Sequence, residues 1–415
     1  MRTASRHPRW WSLAAAAVLL NLAAASTTRA FLELTKNATL VPVPEVTTDP
    51  NEGVTVGVLP VVLISNDQQQ LRSIVAPDIR YNDITGVYPS LRFFDYPTAK
   101  QKLLLQGGKA TKIGEYFEAM YSGEDLLDGW LDARVQGLHE NDPFERFFGF
   151  GNETTQSAET NYTSDTGGLS GSLGVNLPYH LQATTRTRWR VVRLRKGGID
   201  SITQLVGDPQ YAQTPGIDGA TVVGQRFGLR YDTRDFSDIP TEGVLADSGI
   251  EVIDQALGSS ASYVKYGLEG RSFLPLKRDK QFVLATQAVL DYIQGGDRAP
   301  FYDRSPLGGM RSFRGAGSNR YIDNNRCFLR SELRSNVWQP AFLVEQFKVH
   351  GHIEVAPFFE LGRVFNSSRT FPLQDPHAAG GLGFRAVIAP QVVAYVDFAS
   401  TGGGPSVFTG VDYPF

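Results

Sequence analysis

The chain contains a single cysteine, Cys327, which excludes an internal disulfide framework and leaves no partner for a cysteine metal cluster. Charged residues are scarce at 20%, and the net charge of -3 comes without any basic patch, so nucleic acid is a poor candidate partner. Beyond the N-terminus no apolar run approaches the roughly 18 residues of a membrane-spanning helix, and helical i, i+3, i+4 patterning is rare. These absences exclude a helical bundle in water and a helical bundle in a bilayer. What the chain has instead is glycine, 42 residues of it, and 11% aromatics, the composition of many strands joined by turns.

The first thirty residues form a separate unit. Arg2, Arg6 and Arg9 precede an apolar stretch from Trp10 to Ala25, and Ala23 to Ala25 or Thr28 to Ala30 offer small residues for cleavage. Residues 1–30 are therefore expected to be an export signal; losing their four arginines and no acid would move the formal charge from -3 to -7.

From Gly53 to the last residue the sequence alternates with period two, which predicts an all-β chain of sixteen strands, the first over 53–65 and the last over 405–415, with 100–121 as one run. Strands of roughly 9 to 11 residues or more are what a tilted transmembrane barrel requires. The long gaps at 141–157, 197–219, 297–320 and 363–374 occupy the third, fourth, sixth and seventh outward slots, and tight turns such as Leu276–Asp279 fill most of the others; the gap at 338–346 breaks the pattern. Long loops on one side and short turns on the other predict an antiparallel outer-membrane β-barrel over 53–415. At the C-terminus Val407, Val411, Tyr413 and Phe415 share one face, as in a lipid-facing strand with interfacial aromatics.

Several constellations that resemble chemical sites have plainer readings. Asp232 and Asp235, with Arg230 and Arg234, bracket a short turn with Pro240 and Gly243, and are read as capping its backbone or pairing with the arginines. His350 and His352 have the spacing of some zinc ligands but no third ligand nearby. The glycines of Gly167 to Gly174 lie in an alternating segment with no helix after it, which reads as a barrel strand. Asn152-Glu-Thr and Asn161-Tyr-Thr fit glycosylation sequons that matter only in a eukaryotic secretory setting. No hydrolase elbow, Walker loop or Ser/His/Asp set appears, so no catalytic residue, metal or cofactor is expected and an outer-membrane hydrolase is the least favoured reading.

Four segments carry a resemblance. They are Phe147 to Asn152, Gly228 to Asp235 with Tyr231, Pro240 and Gly243, Gly308 to Gly315 followed by Tyr321, Asn324 and Glu332 to Arg334, and Phe358 to Val364. Together they resemble the bacterial surface antigen family of the BamA/TamA outer-membrane assembly-factor superfamily, most clearly over 140–415. The resemblance implies a barrel whose long sixth loop folds inward. Arg314 on the loop tip, flanked by Phe313 and Gly315, would meet Glu360 on a receiving strand beside Gly362 in a two-bonded contact. The chain departs from the family pattern at Ala316, where an aromatic is usual, and at Glu360, where Asp is usual; Phe313 is expected to supply the missing aromatic packing.

The resemblance also implies insertion or translocation of protein or lipid by opening a weak seam between strands 53–65 and 405–415. The partners would be outer-membrane lipid, an unidentified client, and the barrel-assembly machinery, which reads a C-terminal signal here comprising Tyr413 and Phe415. Family members usually carry polypeptide-transport-associated (POTRA) domains ahead of the barrel. Residues 31–52, with Pro42, Pro44 and Pro50, are too short for one and are expected to form a periplasmic linker or plug. A passive pore or structural barrel is the alternative.

Overall fold

The computed structural model describes residues 32–339 apart from 36, 68–70 and 99, together with 351–366, 374–388, 391–401, 405–410 and 413. The expected export signal over 1–30, His350 and Phe415 lie outside the described residues. β1 (Leu32–Thr35) and β2 (Ala38–Asp49) open the sheet, followed by β3 (Gly53–Ser65), β4 (Leu71–Asn82), β5 (Gly86–Thr98), β6 (Gln101–Lys109) and β7 (Glu115–Asp125). β8 (Leu131–Phe147), β9 (Thr160–Leu177) and β10 (Leu181–Lys196) come next, then a two-residue β11 (Thr203–Gln204). β12 (Ala220–Asp232), β13 (Gly243–Ile253), β14 (Tyr263–Pro275) and β15 (Phe282–Gln294) lead into a long connection holding a small hairpin of β16 (Ser305–Leu307) and β17 (Tyr321–Asp323). β18 (Asn325–Trp338), β19 (Gly351–Phe365), β20 (His377–Ile388), β21 (Gln391–Ser400) and β22 (Pro405–Gly410) complete the chain.

Each long strand from β2 to β22 pairs antiparallel with its sequence neighbour, which makes a nearly closed barrel of 18 strands. Alternation decides which face is which. Val58, Ile79, Phe117, Val135, Leu169, Trp189, Phe227, Ile250, Leu268 and Phe359 are exposed on the outer wall, while Asp78, Glu251, Arg330, Glu332, Glu360, Arg385 and Asp397 are buried on the inner one. Apolar outside and charged inside inverts the soluble pattern, and suits a wall solvated by lipid.

Two strands exceed the expected sixteen, and both lie before residue 126. The run 100–121 splits into β6 and β7 at a turn closed by Gly114, whose φ is +114°. Residues 31–52, expected to be a linker or plug, instead supply β1 and β2, and β2 pairs with β3 from Ala38↔Ile64 to Asp49↔Gly53. The long loop that sequence alone put in the sixth outward slot therefore follows the thirteenth barrel strand, and is the seventh such connection. Counted from the other end, five barrel strands still follow it.

The prolines that made 31–52 look like a linker occupy permissive positions. Pro42 faces Pro60 across β2 and β3, and neither has an N–H, so this pair exchanges no hydrogen bonds. The backbone of Pro42, and of Pro44 two residues on, therefore points away from β3, and that of Pro60 points toward β4. There it meets Pro77, and the β3–β4 register is interrupted between Val58↔Ile79 and Val62↔Val75. Three prolines in line across three strands thus leave one ladder broken and one barrel edge short of donors. Replacing Pro60 and Pro77 together by Val supplies two donors facing two carbonyls. We expect about 1 kcal/mol of stabilisation per bond formed and slower hydrogen exchange of the amides of Val61 and Ala76; unchanged exchange would refute the proline account of the gap.

Candidate functional site

The long connection after β15 folds into the barrel, and its tip carries the most deeply buried charge. The Arg314 side chain is 0% exposed. Its backbone N–H donates to Glu360 Oε2 at 2.7 Å and its Nε to Glu360 Oε1 at 2.7 Å. The two-bonded contact therefore uses the main chain and one guanidinium nitrogen. That frees Nη1 for Asp397 Oδ2 at 2.5 Å and Glu332 Oε2 at 3.3 Å, while the guanidinium carbon sits 3.4 Å from the centre of the Phe358 ring.

The carboxylates are shared further. Glu360 Oε1 also accepts from Arg330 Nε at 2.8 Å, and Arg330 donates from Nη2 to the carbonyls of Met310 and Ser312, clasping the loop backbone. Glu332 takes both Nη groups of Arg385, at 2.5 and 2.7 Å, and Nε of Arg334 at 3.0 Å. Four arginines and three carboxylates thus interlock with almost no contact with water. Opposite charges at these distances offset the desolvation cost only as a complete set.

Close packing fixes the loop in this position. A Cβ at Gly315 would collide with Thr401 and Ala379, and one at Gly362 with Leu307. Phe313 is fully buried with Leu307, Phe328, Val364 and Ala379, and Ala316 packs against that cluster.

The other segments singled out in the sequence surround the same loop. Phe147 meets Phe150 and Tyr211 edge to face and Phe301 at a tilt; Arg304 lies over Phe150 and Arg320 over Phe148. Asn152 accepts from the backbone of Val364 and donates to the carbonyl of Asp375. In the β12–β13 turn Asp232 pairs with Arg234 at 2.7 Å. Asp235 accepts from the amides of Phe236, Thr241 and Glu242 and from Lys280, and Gly243 ends the turn at a φ of +103°. Tyr231 stays on the outer wall. The turn carries Pro240 and Ile239 under the barrel: the Pro240 carbonyl accepts from Arg334, and Ile239 and Met310 pack on one cluster of Val387, Tyr395 and Phe408.

Tyr413, expected to face lipid, instead lies inside. Its hydroxyl donates to Glu354 at 2.8 and 2.9 Å, and Arg334 covers its ring at 3.8 Å. His352 also bonds Glu354, at 2.9 Å, and among the described residues no group of acids, histidines and cysteine has the arrangement of a metal site.

Sequence reasoning missed a second anchor. Asp303, on the ascending limb of the loop, accepts from Arg188 at 2.8 and 2.9 Å, Arg190 at 2.9 Å, Tyr263 at 2.7 Å and Lys265 at 3.0 Å. The only signal was the row of arginines at 186, 188 and 190 on one face of a strand. Arg385 and Asp397 were likewise inward positions in alternating runs, with nothing local to set them apart, and Glu332 was marked only as part of the resemblance.

Breaking a buried pair from one side typically costs about 3–5 kcal/mol. Arg314→Ala is expected to lower the temperature at which the folded band disappears on semi-native gels far more than Arg72→Ala, whose half-exposed pair with Asp95 contributes at most about 1 kcal/mol. A second prediction concerns pH. Burial raises the Asp235 carboxyl, but its bonds from Thr241, Lys280 and the amide of Glu242 outweigh this and hold it at about 2. A depressed carboxyl stabilises the fold above its unfolded value of roughly 4 and ceases to as pH falls through the folded value. The stability difference between wild type and Asp235→Asn should accordingly be constant above pH ~4 and shrink toward pH ~2.

Residues 130–390 match the Omp85 superfamily domain. No curated protein matches the chain. Among solved structures, BamA from Haemophilus ducreyi lacking POTRA domains 1-3 aligns with a TM-score of 0.52 at 17% identity, covering 95% of this chain and 78% of that one. CdiB from Escherichia coli aligns at 0.48 with 12% identity over 92% and 62% of the two chains, and CdiB from Acinetobacter baumannii at 0.44 with 11% over 92% and 60%. At these identities the BamA likeness concerns the fold alone. With a family model spanning well over half of its residues, the chain belongs to the Omp85 superfamily, whose barrels reside in the bacterial outer membrane.

Proposed function

We propose that this barrel is an assembly or translocation factor that aids passage or insertion of protein or lipid at the outer membrane, by opening its seam while the inward-folded loop sets the state of the lumen. Arg314 and Glu360 are the latch in this reading. The observation that carries it is the mismatch between a tightly fastened loop and an unfastened seam. β22 lies beside β2, yet among the described residues no backbone ladder joins them. Sequence reasoning located the seam at 53–65; β2 occupies that edge instead.

The weakness of the seam has a chemical cause. Pro42 and Pro44 remove two N–H donors from the edge that β2 turns toward β22, and the short β1 already pairs with its 38–40 end. A strand edge in lipid that cannot complete its ladder is held closed only weakly. The mechanism is non-enzymatic, because separating two strands and thinning the adjacent bilayer needs no nucleophile or metal.

One observation favours the passive-pore reading. The inner wall of β4 to β7 borders a polar cavity of about 260 Å³ lined by Arg80, Tyr88, Ser90, Arg92, Gln106 and Tyr116, away from the loop tip. A seam lock separates the two readings. In a Cys327→Ser background, Thr48→Cys and Val407→Cys would be joined by a short bifunctional thiol reagent, and insertion of a urea-unfolded eight-stranded barrel into phospholipid vesicles followed by protease protection. Loss of insertion on cross-linking, with each single cysteine active, is the expected outcome. Insertion that survives the lock would sink the gate, and no stimulation over empty vesicles by the unlocked protein would favour the pore.

A further inference from the structure

Arg363 stands apart from every other charge on the β18–β19 wall. Its neighbours in the strand, Gly362 and Val364, face the loop inside, so Arg363 points outward, across from Cys327 and in one row with Leu290. Toward the short-turn end the next outward residues of β19 are Leu361 and the exposed Phe359. Toward the long-loop end the next row holds Tyr292 and Tyr266, whose rings lie 6.0 Å apart and whose Tyr266 hydroxyl bonds Gln294. The guanidinium therefore lies where the apolar belt gives way to the aromatic one, at the depth of lipid headgroups.

At this position Nε and Nη1 of Arg363 are buried and have no hydrogen-bond partner, and among the described residues no ion pair reaches it. Neighbouring arginines are satisfied: Arg326, one strand over and facing inward, pairs with Asp291 at 2.6 Å, and Arg195 at the outer rim pairs with Asp165. An arginine that merely snorkels turns its guanidinium to water, whereas this one keeps two of its nitrogens out of water and out of reach of any carboxylate. Uncompensated, that arrangement is costly. The guanidinium is planar and permanently charged, and its donor geometry matches two oxygens of a phosphate.

We propose that Arg363 marks a binding site on the lipid-facing wall for the phosphate of an anionic headgroup in the outer leaflet. The site rests on the membrane placement of the barrel with its long loops outward, and not on the gate at the opposite seam, so its test can fail without touching the gate. Bound phosphate would meet the guanidinium from its open side at Nη2, pair its charge, and fix a lipid against β18 and β19, the wall that receives the latch.

The test uses the full chain in phosphatidylcholine vesicles containing either a diphosphorylated lipid A or its phosphate-free counterpart, with co-purified lipid counted by mass spectrometry after extraction. Wild type is expected to retain the phosphorylated lipid about tenfold over Arg363→Gln, as one charge-assisted contact implies, and Arg363→Lys to retain an intermediate amount. Equal retention by wild type and Arg363→Gln overturns the site. Release of the lipid by inorganic phosphate at equal concentration would assign the pocket to the free anion and overturn the headgroup. A second readout needs no substitution: Cys327, directly opposite Arg363, should react more slowly with a small maleimide in phosphorylated vesicles than in phosphate-free ones. Identical rates would count against the proposal even if the variants misfold.

Discussion

A guanidinium sealed away from water must be surrounded by carboxylates, and that single requirement organises the inside of this barrel. Arg314 can lie at 0% exposure only because Glu360, Asp397 and Glu332 converge on it from three different strands. Those carboxylates in turn need Arg330, Arg334 and Arg385, so the network extends until its charges nearly balance. A partial shift of the loop that brings Arg314 would leave several buried charges unpaired at once. Glycine at 315 and 362 serves the same end by allowing backbone and Leu307 to approach where a Cβ would block them.

The barrel is accordingly unequal around its circumference. From β10 through β21 the inner wall is tied to the loop by two charged anchors, Asp303 and Arg314, and by the aromatic contacts of Phe147, Phe301 and Phe313. From β2 to β4 three prolines lie in line and the β3–β4 ladder is interrupted, while the β2–β3 turn meets the loop through Asn51, which donates to the Ser318 carbonyl at 3.0 Å. The seam lies where the stiff and loose portions meet. On the other side Tyr413 is drawn inward to Glu354 and Arg334. An opening motion would therefore be expected to displace β2 and β3 more than β22.

Much of this was legible from alternation alone, because a wall with lipid on one side and charge on the other must repeat every two residues. Glu360 as the receiver of Arg314 followed from motif resemblance plus inward parity. The strand missed at 38–49 has one cause: Pro42 and Pro44 look like breakers in sequence, yet they are harmless on an edge whose amides have no partner. Tyr413 was misplaced because parity alone does not show that Glu354 and Arg334 draw its hydroxyl and ring inward. Asp303, Arg385 and Asp397 stayed hidden for a different reason. Their importance comes from convergence across distant strands, and one sequence without structure does not show which inward charges meet.

The loop as a latched plug is the central claim, and ion conductance in planar bilayers tests it most directly. Wild-type protein should be nearly silent, with rare openings, and Arg314→Ala should convert it to a large, long-lived conductance, since it removes the side-chain bonds to Glu360, Asp397 and Glu332 that seat the tip. A steady wild-type pore with the same conductance as Arg314→Ala would contradict the claim, showing that the buried network shapes the barrel wall without governing passage through it.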